Sequence, residues 1–346
     1  MASSKTQRAV VVLEKGKTTL VSDKPIPPVI PRGVLVKIKA ITLNPTDWKH
    51  VDLILKPGDS IGCDFAGDIV ELGSEAKDKG FKVGDAVSGV IRGGFHHPDI
   101  GVFQEYLVTY PELLWHKPAN ISYVDAASLN VAGDTAVMSL FYALGVPKFW
   151  EPTQPSTPSP SSVLIWAGST SVGLYAIAFA KLAGLKIVST ASPHNHALLK
   201  SLGADAVFDY KDPEVAQKIK DWAQPSGGLT IALDCISEHG STKLVIDSFG
   251  GNSGKVVHIL AVKPEEGWPS NVKLERFLLY DALVVDSKDF WTLNEWHKVI
   301  SSLVEKGQVK NVIPTKITQG IEQIPEGLDL LRQGKVSAQK LAYTVY

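Results

Sequence analysis

Residues 163–173, Val-Leu-Ile-Trp-Ala-Gly-Ser-Thr-Ser-Val-Gly, run from an apolar stretch into a cluster of small residues, the combination that holding a pyrophosphate requires. Small side chains at Ala167, Gly168, Ser169 and Ser171 let backbone N–H groups approach an anion. Val172, Ala176, Phe179, Ala180 and Ala183 then recur at helical spacing, so that the N-terminus of a helix faces the same anion. Gly168, Ser169, Thr170, Ser171 and Val172 are therefore the expected phosphate contacts. The stretch lacks two of the glycines of the G-x-G-x-x-G fingerprint, and a loop that merely turns is the rival reading.

The elements that must position this loop follow it. Strands are expected at Lys186 to Ala191, Ala206 to Phe208, Thr230 to Asp234 and Lys255 to Leu260, with a helix from Pro213 to Trp222. Alternation of this kind predicts an α/β fold with a doubly wound parallel sheet, its ligand at the carboxyl ends of the strands where the order reverses. An NAD-binding sheet places an Asp or Glu roughly 20 residues beyond the loop, on the ribose 2′-hydroxyl. Here Ser189-Thr190-Ala191-Ser192-Pro193-His194-Asn195 has no carboxylate to repel a 2′-phosphate, so the expected cofactor is NADPH. An arginine is missing too, which leaves Ser192, His194 and Asn195, with Lys200 or Tyr210 nearby, as donors. A helix N-cap at Ser192 with Pro193 at N1 is compatible with that role.

With 346 residues, 44% hydrophobic, 21% charged and a net charge of −1, the chain suits a soluble protein of two domains and gives no reason to expect a nucleic-acid partner. The apolar run Ala9 to Leu13 is too short for a signal h-region and reads as a strand, and no stretch spans a membrane. Two cysteines, Cys63 and Cys235, are too few for a disulfide framework and fit a reducing cytoplasm. Ahead of the loop, Val34 to Ile41, Gly67 to Leu72, Ala86 to Val90 and Phe103 to Val108 read as the strands of a compact β domain, followed by a helical passage from Tyr123 to Leu144. Residues 147–162 hold five prolines and read as an exposed connector, with a partner docking site as the minor alternative.

Several signatures stand together in one order: Leu43-Asn44-Pro45-Thr46-Asp47, Gly62-Cys63-Asp64-Phe65-Ala66-Gly67, Val83-Gly84-Asp85-Ala86-Val87, Gly101-Val102-Phe103-Gln104-Glu105-Tyr106 and Gly334-Lys335-Val336-Ser337-Ala338-Gln339-Lys340. Over its whole length the chain resembles the medium-chain dehydrogenase/reductase superfamily, in its zinc-independent, quinone-oxidoreductase-like branch. The Asn-Pro-Thr-Asp-Trp-Lys run, the Gly168-Ser169-Thr170 loop, the Ser192-Pro193-His194-Asn195 turn and Leu233-Asp234-Cys235-Ile236 are most similar to the fungal trans-acting enoyl reductases that partner polyketide synthases. The resemblance implies a GroES-like catalytic domain from residues 1–128 and 290–346, around a Rossmann NADPH-binding domain at 129–289. It also places Ile259, Leu260 and Lys340 among the cofactor-binding residues.

Zinc-dependent members carry Cys, His-Glu and Cys ligands, and a catalytic zinc needs about three such groups. Here Asn44 stands at the first position, Cys63 and Asp64 at the next pair, and 127–135 has no cysteine, so no metal is expected. Cys63 then reads as a small packing residue. Without a Lewis acid an alcohol is a poor substrate, because nothing stabilises its alkoxide. A conjugated alkene is a better one: hydride adds to the β-carbon, charge moves to a carbonyl oxygen, and a proton closes the α-carbon.

By resemblance, Lys49 is the catalytic cation near that oxygen, a solvated surface lysine being its alternative, and Thr135 hydrogen-bonds the nicotinamide or the forming enolate, a capping threonine being its alternative. Asp134 departs from the small residue usual there, and Asp64 is expected to hold the loop or Lys49. The substrate expected is an enoyl thioester on a polyketide synthase carrier protein. The alternatives are a quinone, alkenal or enone reductase on free small molecules and, in another class, a non-catalytic scaffold that binds NADPH.

Overall fold

The computed structural model describes residues 5–94, 100–151, 162–263 and 268–346. It divides into two compact units, residues 1–131 with 280–346, and residues 132–279.

In the first unit both ends of the chain build one sheet. Its strand order is Thr315–Gln319, Lys340–Thr344, Val34–Thr42, Asp64–Leu72, Ala86–Val90 and Leu114–His116, with Tyr106–Thr109 paired to Val34–Thr42 off that path. Val34–Thr42 pairs antiparallel with Asp64–Leu72 through Thr42 and Asp64, and with Lys340–Thr344 through Ala342 and Thr42. That register brings the first residues of two remote strands, Asp64 and Lys340, beside the end of a third. Val36, Ile38, Ile41, Phe65, Ile69, Phe103 and Leu341 lie in the core beneath. The expected strand at Gly67 begins three residues earlier, at Asp64, because Asp64, Phe65 and Ala66 are all buried and the acidic residue interrupts the apolar pattern. The expected strand at Phe103 begins instead at Tyr106. The strand read at Ala9 extends over Thr6–Glu14 and forms a hairpin with Lys17–Pro25, which was not anticipated.

The second unit carries six parallel strands in the order Ala206–Phe208, Lys186–Thr190, Ser162–Trp166, Ile231–Asp234, Gly254–His258 and Val272–Arg276. Ser162–Trp166 is buried at every residue, as a central parallel strand must be. From it the chain winds outward through two strands and then returns to its other side, so the order reverses between Trp166 and Asp234. Helix Ser171–Leu182 follows the first strand closely, burying Leu174, Tyr175, Ala176, Ile177, Phe179 and Ala180. The closeness requires glycine: a Cβ at Gly173 would stand 2.6 Å from the Ala167 carbonyl oxygen, and one at Gly168 would stand 2.1 Å from Ser189 Oγ.

The helical passage is realised as Tyr123–Ser128 and Asn130–Val137, followed by a wider π-helical turn at Met138–Ala143. Of the proline-rich connector, residues 152–161 lie outside the described residues. Of the remainder, Pro147 and Glu151 are exposed, while its other described residues pack at the two ends. Ser162 is already the first residue of a buried strand, and the Phe149 and Trp150 rings meet Phe141 edge-on, with centroids 5.7 and 4.8 Å away.

Candidate active site

Lys49 lies on the nine-residue helix Pro45–Leu53, half-buried, with its ammonium 5.8 Å from the centre of the Trp48 ring. Asn44 caps the helix in extended conformation and Pro45 supplies a pre-set φ at its first position. The Asn44 N–H donates to Asp47 Oδ2 at 2.7 Å, tying the cap to the third helical residue. At the other end, the Arg332 guanidinium grips Asp52 with Nε to Oδ2 at 3.0 Å and Nη2 to Oδ1 at 2.9 Å, and Nη2 also donates to the Gly16 carbonyl at 3.1 Å.

Asp64 is at 0% exposure and collects four donors. Thr42 Oγ1 (3.0 Å), Asn44 Nδ2 (2.8 Å) and Lys340 Nζ (2.7 Å) meet at Oδ2, and the Val131 N–H (2.8 Å) meets Oδ1. Lys340, 1% exposed, also donates to Asn44 Oδ1 at 2.9 Å. Lys340, expected among the cofactor donors, thus spends its ammonium inside the first unit: a buried carboxylate needs a counter-charge, and this is the cation that supplies it. Asp64 does hold the loop as expected, but its cation is Lys340.

On the same helix a second set of polar groups meets. Thr46 Oγ1 lies 2.5 Å from the Tyr280 hydroxyl and 3.3 Å from His50 Nε2, and Cys63 Sγ lies 3.6 Å from the same hydroxyl. The Arg92 guanidinium stands 4.5 Å over the Tyr280 ring. Burial pushes the Cys63 thiol and the Tyr280 hydroxyl well above their ordinary ranges, so both stay protonated. This makes Cys63 a buried, inert thiol. Tyr280, Arg92 and Arg332 were not anticipated; Tyr280 is 234 residues from Thr46 and belongs to no local motif.

In the second unit, the expected phosphate loop is built as a helix N-terminus. Thr170 caps helix Ser171–Leu182: its hydroxyl accepts the Gly173 N–H at 3.1 Å and donates to the Ala167 carbonyl at 2.9 Å. That hydroxyl shapes the loop, while the first-turn N–H groups of Ser171 and Val172 have no acceptor within the helix. Ala167 adopts φ +59, a left-handed turn that swings the chain from strand to helix. With the space over Gly168 and Gly173 closed to any side chain, this cradle fits the diphosphate of a dinucleotide. At the end of the neighbouring strand, Ser192 begins a short 3₁₀ turn with Pro193 first, but its side chain makes no capping bond. Ser192 is half-exposed, His194 exposed and Tyr210 43% exposed, whereas Asn195 is buried. Asn195 therefore differs from the open donor expected. Ile259 and Leu260, both half-buried, are placed by Ser237 Oγ, which accepts the Ile259 N–H at 2.9 Å, and by His258 Nδ1, 2.7 Å from the Leu260 carbonyl. Thr135, on helix Asn130–Val137, is 6% exposed beside a fully buried Asp134.

The positions that match zinc ligands do not fit a zinc ion in this chain. Asn44 Oδ1 and Asp64 Oδ2 share the Lys340 ammonium, and the Cys63 thiol is held protonated against Tyr280. Among the described residues, no cluster of three His, Cys, Asp or Glu side chains is placed to hold a metal, and no helix is long and apolar enough to cross a membrane.

A parallel dinucleotide-binding sheet, joined in one chain to a β-rich unit built from both termini, defines a reductase of the medium-chain type. Residues 30–119 match the family described as alcohol dehydrogenase GroES-like domain, and residues 171–305 that described as zinc-binding dehydrogenase. Trans-enoyl reductase ACTTS2 of Alternaria alternata is 37% identical, over 98% of this chain and 99% of its own. Trans-enoyl reductase phm4 of Pyrenochaetopsis sp is 33% identical, over 99% and 97%. Among solved structures, the quinone oxidoreductase from Coxiella burnetii superposes with a TM-score of 0.76 at 26% identity, covering 99% of this chain and 100% of that one. JamJ enoyl reductase shares the fold, with a TM-score of 0.78 at 22% identity over 98% and 99%. The chain belongs to the trans-enoyl reductases of the medium-chain dehydrogenase/reductase superfamily, a family that uses a nicotinamide cofactor.

Asp47 and His50 sit one turn apart and titrate abnormally in opposite senses. Burial lifts the Asp47 carboxyl to about 7; the Asn44 N–H pulls the other way and Asp64 adds to the rise. Burial, helped by Arg92, lowers His50 to about 4. Between pH 3.8 and about 7 the folded chain holds more proton at Asp47 than the unfolded chain, so this group makes stability fall as pH rises. Between about pH 4 and 6.5 it holds less at His50, so that group makes stability rise. The two largely cancel in the native chain. Urea titrations of His50→Gln should therefore show stability declining with pH relative to wild type, by at most about 1.4 kcal/mol per pH unit, and Asp47→Asn should show the opposite slope. Parallel slopes in the two variants would contradict both assignments.

Proposed function

We propose that the chain is an NADPH-dependent, zinc-independent enoyl reductase that reduces the α,β-unsaturated thioester of a polyketide intermediate carried by a synthase. The observation that carries this reading is the Lys340 ammonium bridging Asn44 and Asp64, which leaves no place there for a Lewis acid. An alcohol then has nothing to stabilise its alkoxide, whereas an activated alkene needs only donors at its carbonyl oxygen and a proton. The enoyl thioester follows from the full-length likeness to proteins named trans-enoyl reductases.

When bound, the nicotinamide supplies the hydride. The loop of Gly168, Ser169, Ser171 and Val172 is assigned to its diphosphate, with Thr170 holding the loop's shape. Ser192, His194 and Tyr210 are assigned to the 2′-phosphate, Asn195 to supporting that turn from beneath, and Ile259 and Leu260 to the nicotinamide half. Lys49 is assigned to the substrate carbonyl oxygen, where its charge is worth most as the enolate forms. The Thr135 hydroxyl is assigned to orienting the nicotinamide or the forming enolate.

The likeness to a quinone oxidoreductase at 26% identity supports a second reading, reduction of free quinones or enones. Turnover of a carrier-bound enoyl thioester against its free thioester analogue separates the two. A preference for the free molecule favours the second.

Three measurements test the first reading. Fluorescence titration should give a dissociation constant for NADPH at least about tenfold below that for NADH, the worth of one hydrogen bond to a charged phosphate. Equal constants defeat the cofactor assignment. Elemental analysis should find far less than one zinc per chain, with turnover insensitive to chelator; stoichiometric zinc and lost activity would restore a metal mechanism. Lys49→Met should lower turnover of an enoyl thioester by about 10²- to 10³-fold with NADPH affinity kept, and Thr135→Val should cost less, because a hydroxyl is a neutral donor. Unchanged turnover in Lys49→Met removes that lysine from the chemistry.

A further inference from the structure

A helix of nine residues has no stability of its own, so whatever anchors Pro45–Leu53 decides where Lys49 stands. Two of its anchors, one at each end, differ in kind; between them Thr46 meets the Tyr280 hydroxyl and Val51 is buried in the core. The Arg332–Asp52 pair at the C-terminal end is open to solvent, with each side chain 24% exposed, and its charges are screened. The anchor at the N-terminal end is dry. There the amide of the Asn44 cap is held on both sides, its Nδ2 by Asp64 and its Oδ1 by Lys340, while Lys340 and Asp64 are themselves paired.

We propose that Lys340 is a positioning residue for the reduction, a protein-borne cation that bridges Asn44 and Asp64 and thereby fixes the helix that carries Lys49. The proposal rests on the reading of Lys49 as the group at the substrate oxygen.

The ammonium is not needed to hold its own strand. Lys340–Thr344 is paired through its backbone with Val34–Thr42 and with Thr315–Gln319, and the Leu43 N–H donates to the Leu341 carbonyl at 2.9 Å. A neutral donor at this point could satisfy Asn44 Oδ1 but would leave the Asp64 charge uncompensated at zero exposure. Only a cation does both, so the cap's orientation and the carboxylate's charge balance are one constraint. The bridge is also short of slack. Asn44 is joined to Asp47 through its own N–H, so a shift of the Asn44 amide is passed to the first turn of the helix.

The test is a set of double-mutant cycles on the full chain, measuring kcat and KM for enone reduction, NADPH affinity by fluorescence and folding by thermal melting. Lys340→Met removes the cation. Asn44→Ala cuts the links from the cation and from Asp64 to the helix cap but leaves the 2.7 Å Lys340–Asp64 pair in place, so it reports even if Lys340→Met does not fold. Each single variant should lower kcat by about 10- to 100-fold, the cost of misplacing a catalytic group by an ångström or less, with NADPH affinity unchanged. Combined with Lys49→Met, either should lower kcat by no more than about twofold further, because nothing is left to position. Losses that multiply in the double variants, or wild-type kcat in the folded single variants, overturn the proposal. Full turnover in Lys49→Met alone overturns the reading of Lys49 and takes this proposal with it. A normal loss in Lys49→Met with multiplying losses overturns this proposal only.

Discussion

A carboxylate at zero exposure persists in a folded chain only when its hydrogen bonds and its charge are both answered, and much of the first unit is arranged around that demand at Asp64. The answer comes from four directions: Thr42 at the end of one strand, Asn44 at the start of a helix, Val131 at the start of another, and Lys340 at the first residue of a strand near the other terminus. Of these, only the Val131 N–H reaches Oδ1, while the other three converge on Oδ2. The interaction therefore ties the helix bearing Lys49, the sheet built from both chain ends and Val131 to a single point. A single charge pair buried in this way is a weak source of net stability but a strict specifier of arrangement.

The same point underlies the zinc-independent chemistry proposed for a chain that matches the zinc-binding dehydrogenase family. A zinc ion polarises an oxygen directly. An ammonium that is fully engaged by Asn44 and Asp64 cannot; it supplies fixed charge and fixed geometry. In the proposed mechanism the task of stabilising developing negative charge passes to groups on the surrounding elements, and it is assigned to Lys49, the half-buried cation on the helix that this arrangement anchors. The neighbouring set of Thr46, His50, Tyr280 and Cys63 stays uncharged near neutral pH, because burial holds His50 neutral and keeps the thiol and phenol protonated.

In the second unit the governing constraint is steric instead of electrostatic. The loop between strand Ser162–Trp166 and helix Ser171–Leu182 is packed so closely, against Ser189 and Leu199 at Gly168 and against its own backbone at Gly173, that only glycine fits at either position, and Ala167 accepts a left-handed turn to make the connection. The Thr170 hydroxyl serves the loop from within, accepting the Gly173 N–H and donating to the Ala167 carbonyl.

What was legible in the sequence is what local patterning encodes. The parallel sheet, Ala206–Phe208 to the residue, the small-residue loop, Gly168 and Gly173, and the start of the 3₁₀ turn at Ser192 all follow from hydrophobic period and turn chemistry within some ten residues. Lys49 and Thr135 were reachable only through resemblance, since a lysine on a short helix and a buried threonine carry no signal of their own. The hidden remainder depends on contacts across hundreds of residues. Asp64 begins its strand as a polar break in an apolar run, so its strand was read as starting at Gly67. Lys340, expected among the cofactor-binding residues, donates to Asp64 and Asn44, 276 and 296 residues away. Tyr280 reaches Thr46 over a similar distance. Secondary structure is set by neighbours in the chain and can be read there. The charge balance of a buried site is set by which strands are laid side by side, and only the tertiary structure determines that.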